Sequence, residues 1–204
     1  MKIILSQIGK TYNKKQIFRN IDSHFDSYKT YGISGHNGSG KSTLLKIIAG
    51  YITPTSGSIQ YFDGDKEIKV EEIFAEISYA APYLDLPYDL SFGQLMDFHF
   101  SIKTRRQNIS NEAVNSHFNL PLDIPIRQFS SGMIQRVKLA LAFFTQSKIL
   151  ILDEPTETLD SLGFDCYEKL LREYSASRTT IIASNKPKDF IQCEKVLNVT
   201  DFLS

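Results

Sequence analysis

The stretch of this chain best equipped for chemistry is Gly35-His36-Asn37-Gly38-Ser39-Gly40-Lys41-Ser42, with Thr43 directly after it. Its pattern is G-x-x-x-x-G-K-[ST], that of a phosphate-binding loop between a strand and a helix. The three glycines carry no Cβ, so the backbone can turn sharply and approach a ligand closely. Consecutive N–H groups then point inward as an anion nest. A helix beginning at Ser42 adds the positive end of its dipole beside the phosphates. Lys41 is placed to reach β- and γ-phosphate oxygens, and the Ser42 hydroxyl to ligate Mg²⁺.

A second group of chemically apt residues lies downstream. Lys148-Ile149-Leu150-Ile151-Leu152 is a continuous apolar run that ends in Asp153-Glu154-Pro155-Thr156. Such runs read as strands buried on both faces of a parallel sheet, and ligands bind beyond the carboxyl ends of those strands. Asp153 would then emerge beside the glycine-rich loop to hold Mg²⁺, directly or through water. Glu154, one residue on, could polarise an attacking water. Just ahead, Phe129-Ser130-Ser131-Gly132-Met133 opens a helix expected to run to about Thr145. Its first turn offers free N–H groups and small hydroxyls suited to a phosphate, and reads equally as an ordinary N-cap. Tyr12, in a polar turn, could stack on a purine face or sit on the surface like any tyrosine.

Positioning these residues requires alternating strands and helices. Residues 2 to 8 alternate like an edge strand, residues 10 to 16 read as a turn, and 17 to 25 as further strand with Ile17, Phe18, Ile21 and Phe25 inward. Lys29 to Ser34 is a strand into the loop, and Ser42 to Ala49 the helix out of it. Residues 50 to 59 form a Pro/Gly-punctuated turn into a strand. Asp63-Gly64-Asp65 reads as a hairpin turn rather than a metal loop, whose further ligands are missing. Ile77 to Ala81 is a short buried strand stopped by Pro82. From 83 to 146 the pattern turns helical: Ser91 to Ile102 carries Phe92, Leu95, Met96, Phe98 and Phe100 on or near one face, and Asn111 caps a helix through Phe118. Lys103-Thr104-Arg105-Arg106 reads as a solvated turn. Leu162 to Ser175 is an amphipathic helix, Thr179 to Ser184 a buried strand ending at Asn185, and Val196 to Val199 a last short strand. This alternation gives an α/β parallel sheet.

Composition narrows the function classes. At 204 residues, one domain is expected. A net charge of zero gives no footing for a non-specific nucleic-acid binder. Cys166 and Cys193 lack CxxC or metal spacing and fit a reducing compartment. No apolar run approaches the roughly 18 residues of a membrane-spanning helix, and the N-terminus lacks the features of a signal peptide.

The order of these motifs makes the chain resemble the ATP-binding subunit of an ATP-binding-cassette (ABC) transporter over nearly its whole length. Residues 35–42 match the family's Walker A, 129–133 its signature, 149–154 its Walker B and 157–160 its D-loop, with Ser130 preceding Asp153 by 23 residues. The resemblance implies a P-loop NTPase parallel-sheet core with an N-terminal antiparallel β-subdomain and an inserted helical subdomain. It divides the single domain 1–204 into a core, 1–82 and 147–204, and the helical part, 83–146. It also implies ATP as substrate, Mg²⁺ as its metal, and head-to-tail pairing with a second cassette, identical or different, so that each ATP lies between one Walker A and the partner's signature. By position, Tyr12 resembles the adenine-stacking aromatic. Ser130 and Gly132 resemble the residues that touch the γ-phosphate in trans, and Asp160 the D-loop aspartate that links the two sites.

Three departures from the family stand out. The signature reads Phe-Ser-Ser-Gly-Met rather than Leu-Ser-Gly-Gly-Gln. Pro82 stands where the Q-loop glutamine is expected, and offers no side-chain ligand. Asn185 stands where the switch histidine is expected; it can hydrogen-bond a γ-phosphate oxygen but carries no titratable charge. The resulting expectation is a cytoplasmic ATPase, peripheral on the inner face of the cell membrane and held there only through a separate transmembrane permease. It binds ATP, with Glu154 and Asn185 at the catalytic centre, and the departures slow its hydrolysis. Alternatives are a slow ATP-gated switch in a heteromeric complex, a non-transport ABC ATPase, and a P-loop kinase, against which the signature and Glu154 argue.

Overall fold

Among the described residues of the computed structural model, 1–106 and 109–203, the elements follow one another as Lys2–Tyr12 (β1), Lys15–Phe25 (β2), Thr30–Ser34 (β3), Lys41–Ile48 (α1), Ser56–Asp63 (β4), Lys66–Ile68 (β5), Ile77–Ala80 (β6), Phe92–Ile102 (α2), Asn111–Phe118 (α3), Ser131–Phe144 (α4), Ile149–Asp153 (β7), Ser161–Tyr174 (α5), Thr179–Ser184 (β8) and Lys195–Asn198 (β9). The strands form two sheets: an antiparallel one ordered β2-β1-β4-β5, and a parallel one ordered β6-β7-β8-β3-β9. The fold is therefore the expected α/β parallel core with an N-terminal antiparallel sheet.

The parallel sheet separates two apolar clusters, and β7 shows how. Every one of its residues is buried. Ile149 and Ile151 pack with β1, β2 and α1, among them Ile3, Phe18, Leu44 and Ile48. Leu150 and Leu152 face the other way, toward Phe92, Phe118, Phe143 and Tyr167 on the helices. Successive side chains of a strand point to opposite faces, so an unbroken apolar run supplies both cores.

Arg178, fully buried just before β8, joins these layers. Its guanidinium donates to the carbonyls of Phe143 at 3.0 Å and Thr145 at 3.2 Å, at the end of α4, and to the Ser147 hydroxyl at 3.2 Å. Carbonyls left over at a helix C-terminus, the negative end of its dipole, are well served by a cation. Burial pulls the Arg178 pKa down to about 9.

Several sequence expectations are corrected. β1 is not an edge: β4 pairs along its second side. The turn expected over 10 to 16 shrinks to Asn13-Lys14, both at positive φ, with Tyr12 paired opposite Lys15. Phe98 points to solvent while Phe92, Leu95 and Met96 are buried. Ser110, not Asn111, caps α3, its hydroxyl accepting from Ala113 N–H. Nor is 103–106 a free turn. Lys103 Nζ donates to the Phe74 carbonyl, and Arg105 donates to the Ile109 carbonyl at 3.1 Å and to Asn111 Oδ1 at 2.6 Å. Both cysteines are free and half-buried, and burial pushes their thiols up to about 11 for Cys166 and about 12 for Cys193.

His99 ties α2 to α4, its Nε2 lying 2.8 Å from Thr145 Oγ1. Burial first, then Lys103 and Arg105, lowers its pKa to about 4 from an ordinary 6.5. On acidification the unfolded chain takes up this proton first, so stability present above pH 6.5 is lost as the pH falls from 6.5 toward 4. Urea unfolding at about pH 7 and pH 5 should show the parent losing about 1–2 kcal/mol more than His99→Gln. Equal losses would mean that His99 is not held neutral.

Candidate functional site

The order of the parallel sheet decides what meets at its carboxyl edge. β8 lies between β7 and β3, with Asp153 opposite Ala183 and Ser34 opposite Ser184. Because the three strands run the same way, the segments that leave them, 154–157, 185–186 and 35–40, emerge side by side. A cavity of about 520 Å³ opens there, and its lining includes Tyr12, Lys41, Ser42, Thr43, Glu154 and Asn185, as well as Asn37, Gly38 and Gly40.

The glycine-rich loop is built to stay open. At Gly35 a Cβ would stand 2.4 Å from Ser39 Oγ, and at Gly40, with φ at +100°, one would stand 2.7 Å from Ile17 Cγ2. Ser39 N–H closes the turn on the His36 carbonyl at 3.1 Å. Ser39 itself is buried, and His36 turns its Nδ1 to the Asn37 carbonyl at 2.9 Å. Lys41, only 5% exposed, donates to the carbonyls of Gly35 at 3.0 Å and His36 at 3.3 Å, and pairs with Glu154 Oε1 at 3.1 Å.

Asp153 is 1% exposed, and neither carboxylate oxygen has a hydrogen-bond partner. The hydroxyls of Ser42 and Tyr83 lie beside it without closing a hydrogen bond. Burial raises its pKa, and the two hydroxyls and Lys41 oppose that rise. Among the described residues, no three His, Cys, Asp or Glu side chains cluster as a metal cage. One carboxylate and one hydroxyl, both hard oxygen donors, are nevertheless of the kind that would hold Mg²⁺.

Glu154 is held from three sides. Its backbone is left-handed (φ +44°), unusual outside glycine, and its N–H donates to the Ala183 carbonyl at 2.8 Å. Its Oε2 accepts from Asn185 N–H at 3.4 Å and lies 3.2 Å from Ser184 Oγ. Asn185 Nδ2 in turn donates to Asn37 Oδ1 at 2.9 Å, linking the end of β8 to the loop.

Ser130, Gly132 and Asp160 do not line this cavity. Ser130 caps α4 by accepting from Met133 N–H at 3.3 Å, and Asp160 caps α5 by accepting from Gly163 N–H at 2.8 Å. They belong to a neighbouring surface where α4 meets the 156–160 loop. A Cβ on Gly132 would stand 3.0 Å from the Thr158 carbonyl, Thr158 Oγ1 donates to the Ser131 carbonyl at 3.3 Å, and Gln135 Nε2 donates to the Pro155 carbonyl at 2.9 Å.

Several contributors escaped the sequence reading. Ser184 stands beside Glu154, its Oγ 3.2 Å from Oε2. Buried Asp189 accepts from Ser184 at 2.6 Å and from Thr156 at 2.9 Å, pinning the loop behind Glu154. Glu157 and Lys186 line the cavity. The pairing between strands brings these together, and a motif spaced along one segment carries no such signal.

Comparisons with known proteins agree with this geometry. The family model described as ABC transporter matches residues 18–157. The lantibiotic transport ATP-binding protein SrtF of Streptococcus pyogenes is 30% identical over 194 residues, covering 89% of this chain and 78% of that protein. Two solved structures share the fold. One is an ABC transporter ATP-binding protein from Pyrococcus furiosus, with a TM-score of 0.85, 22% identity and all of both chains covered. The other is a dimeric ATP-binding cassette in a post-hydrolysis state bound to ADP and Pi, with a TM-score of 0.82, 22% identity, and 96% of this chain and 93% of that one covered. The chain belongs to the ABC transporter family, whose ATP-binding subunits it matches in sequence and in fold.

Proposed function

We propose that this ABC-family chain binds and hydrolyses ATP to power a transporter, working as a pair of cassettes on a separate transmembrane permease at the cytoplasmic face of the membrane. The observation that carries the reading is that Lys41, Glu154 and Asn185 line one cavity where three adjacent parallel strands end, with the buried Asp153 one residue before Glu154. Tyr12, at the rim and 45% exposed, offers an aromatic face for adenine. Residues 35–43 cradle the phosphates, and Ser42 and Asp153 would hold Mg²⁺, which when bound neutralises phosphate charge. Phosphate oxygens compete with Glu154 for the Lys41 ammonium. Binding therefore frees a carboxylate, already aimed by the Asn185 N–H, to orient water and receive its proton.

Ser130, Gly132 and Asp160 gather on a surface outside this cavity. That placement supports their action on the ATP of a second cassette, identical or different. The whole of 1–204 then acts as one ATP-binding domain, with 83–146 as its helical part. No helix among the described residues is long and apolar enough to cross a membrane. The permease supplies the span, and a mostly apolar groove of about 220 Å³ lined by Tyr51, Phe74, Leu86, His99 and Leu141, between the core and α2–α4, offers it a seat. Glu154→Gln should bind ATP yet fail to turn it over, so light scattering with Mg-ATP should find a species of doubled mass. A monomeric variant, or one that hydrolyses ATP at the parent rate, would remove Glu154 from the catalytic role.

A second reading, a slow switch subunit in a heteromeric complex, is favoured by Pro82 and Asn185. Asn185 is engaged with Asn37 and offers an uncharged amide where a histidine would act. A hydrogen bond to a charged oxygen is worth roughly 1.5–3 kcal/mol, about ten- to a hundred-fold in rate. Steady-state phosphate release should therefore be slow in the parent and rise in Asn185→His, and further when Pro82→Gln is added. A fast parent with no gain in either variant would contradict the switch reading.

A further inference from the structure

The strand beside β7 ends next to Asp153. β6 pairs in parallel with β7, Ala80 opposite Leu152, so residues 81–83 leave the sheet alongside Asp153 and Glu154. Pro82 offers this site no donor: its ring has none, and its carbonyl accepts from Lys138 Nζ on α4. Tyr83, the next residue, is held at both ends. Its ring lies under the Lys46 ammonium, 4.2 Å from the ring centroid, and its hydroxyl meets that of Tyr79. Tyr79 is fixed in turn by an edge-on contact with Tyr51, at 5.7 Å between centroids.

Beside this pair lies a carboxylate buried without a partner, and a buried acceptor left unpaired is rare enough to need an explanation. When Tyr79 donates to Tyr83, the proton of Tyr83 is left for a further acceptor, and a phenol that accepts one hydrogen bond donates another more strongly.

Resting on the nucleotide reading above, we propose that Tyr83 is a positioning residue for the metal site: its hydroxyl, supported by Tyr79, donates to one oxygen of Asp153 and aims the other at Mg²⁺. A carboxylate that ligates through one oxygen keeps lone pairs for such a donor. Partners of this kind set the direction and basicity of a ligand, and losing one typically weakens metal binding about 10–100-fold. The tyrosine pair thereby supplies a polar group on the segment where Pro82 has none.

The test is calorimetric titration of ATP into the full chain, in EDTA and in Mg²⁺, for the parent, Tyr83→Phe, Tyr79→Phe and Lys41→Ala. Tyr83→Phe keeps the ring under Lys46, so its thermal midpoint should match the parent. Its affinity for metal-free ATP should also match. The extra affinity that Mg²⁺ confers should fall about tenfold, and Tyr79→Phe should lose a smaller share. Mn²⁺ titrated into the ATP complexes and followed by electron paramagnetic resonance should rank the proteins in the same order. ATP binding with an unchanged metal response in Tyr83→Phe overturns this proposal alone. A parent that binds no ATP in either buffer, or a Lys41→Ala that binds as well as the parent, overturns the nucleotide reading and this proposal with it.

Discussion

A carboxylate taken out of water without a hydrogen bond is among the least favourable arrangements a folded chain can hold, with an effective penalty of several kcal/mol. Asp153 is in that position at the end of β7, and the architecture around it explains how it is kept there. β7 is flanked by β6 and β8 and packed on both faces, so its last side chain cannot turn to solvent. Lys41, whose charge acts on Asp153, is committed to two loop carbonyls and to Glu154. The hydroxyls of Ser42 and Tyr83 lie beside Asp153, and a small, hard divalent cation is the kind of group that would compensate the charge.

The neighbouring groups are arranged around that unmet charge. Glu154 adopts a left-handed backbone that turns its side chain toward Ser184 and Asn185, and local strain of this sort is held only where the surroundings over-determine it. Here the hydrogen bond from its N–H to Ala183 and the Thr156–Asp189–Ser184 cluster supply the restraint. The same loop, by way of Pro155 and Thr158, touches the first turns of α4. The surface bearing Ser130 and Gly132 is thus hydrogen-bonded to the loop behind Glu154.

The sequence made some of this legible and hid the rest, for physical reasons. Residues 35–43 and 149–154 can be read directly because a phosphate cradle and a doubly buried strand each impose their residue types within one short segment. The antiparallel sheet was harder. The alternation in 2–8 shows that β1 is half-buried but not that β4 occupies its second side, because pairing is a property of two segments. Phe98 follows the apolar spacing of its helix yet faces solvent, since the period alone does not fix the width of the buried stripe. Tyr83, Asp189 and Arg178 gave no signal: each is significant only through what strand register and helix ends place beside it.

The central claim is that the buried Asp153 charge is the receptor for a metal-nucleotide complex, and thermal unfolding of the parent and of Asp153→Asn tests it most directly. Without nucleotide, removing an uncompensated buried charge should stabilise the fold by about 1 kcal/mol, raising the midpoint by about 2–4 °C for a chain of this size. With ATP present, adding Mg²⁺ should raise the midpoint of the parent and leave Asp153→Asn where it was. A variant that melts below the parent without nucleotide and still gains stability from Mg²⁺ would contradict the account.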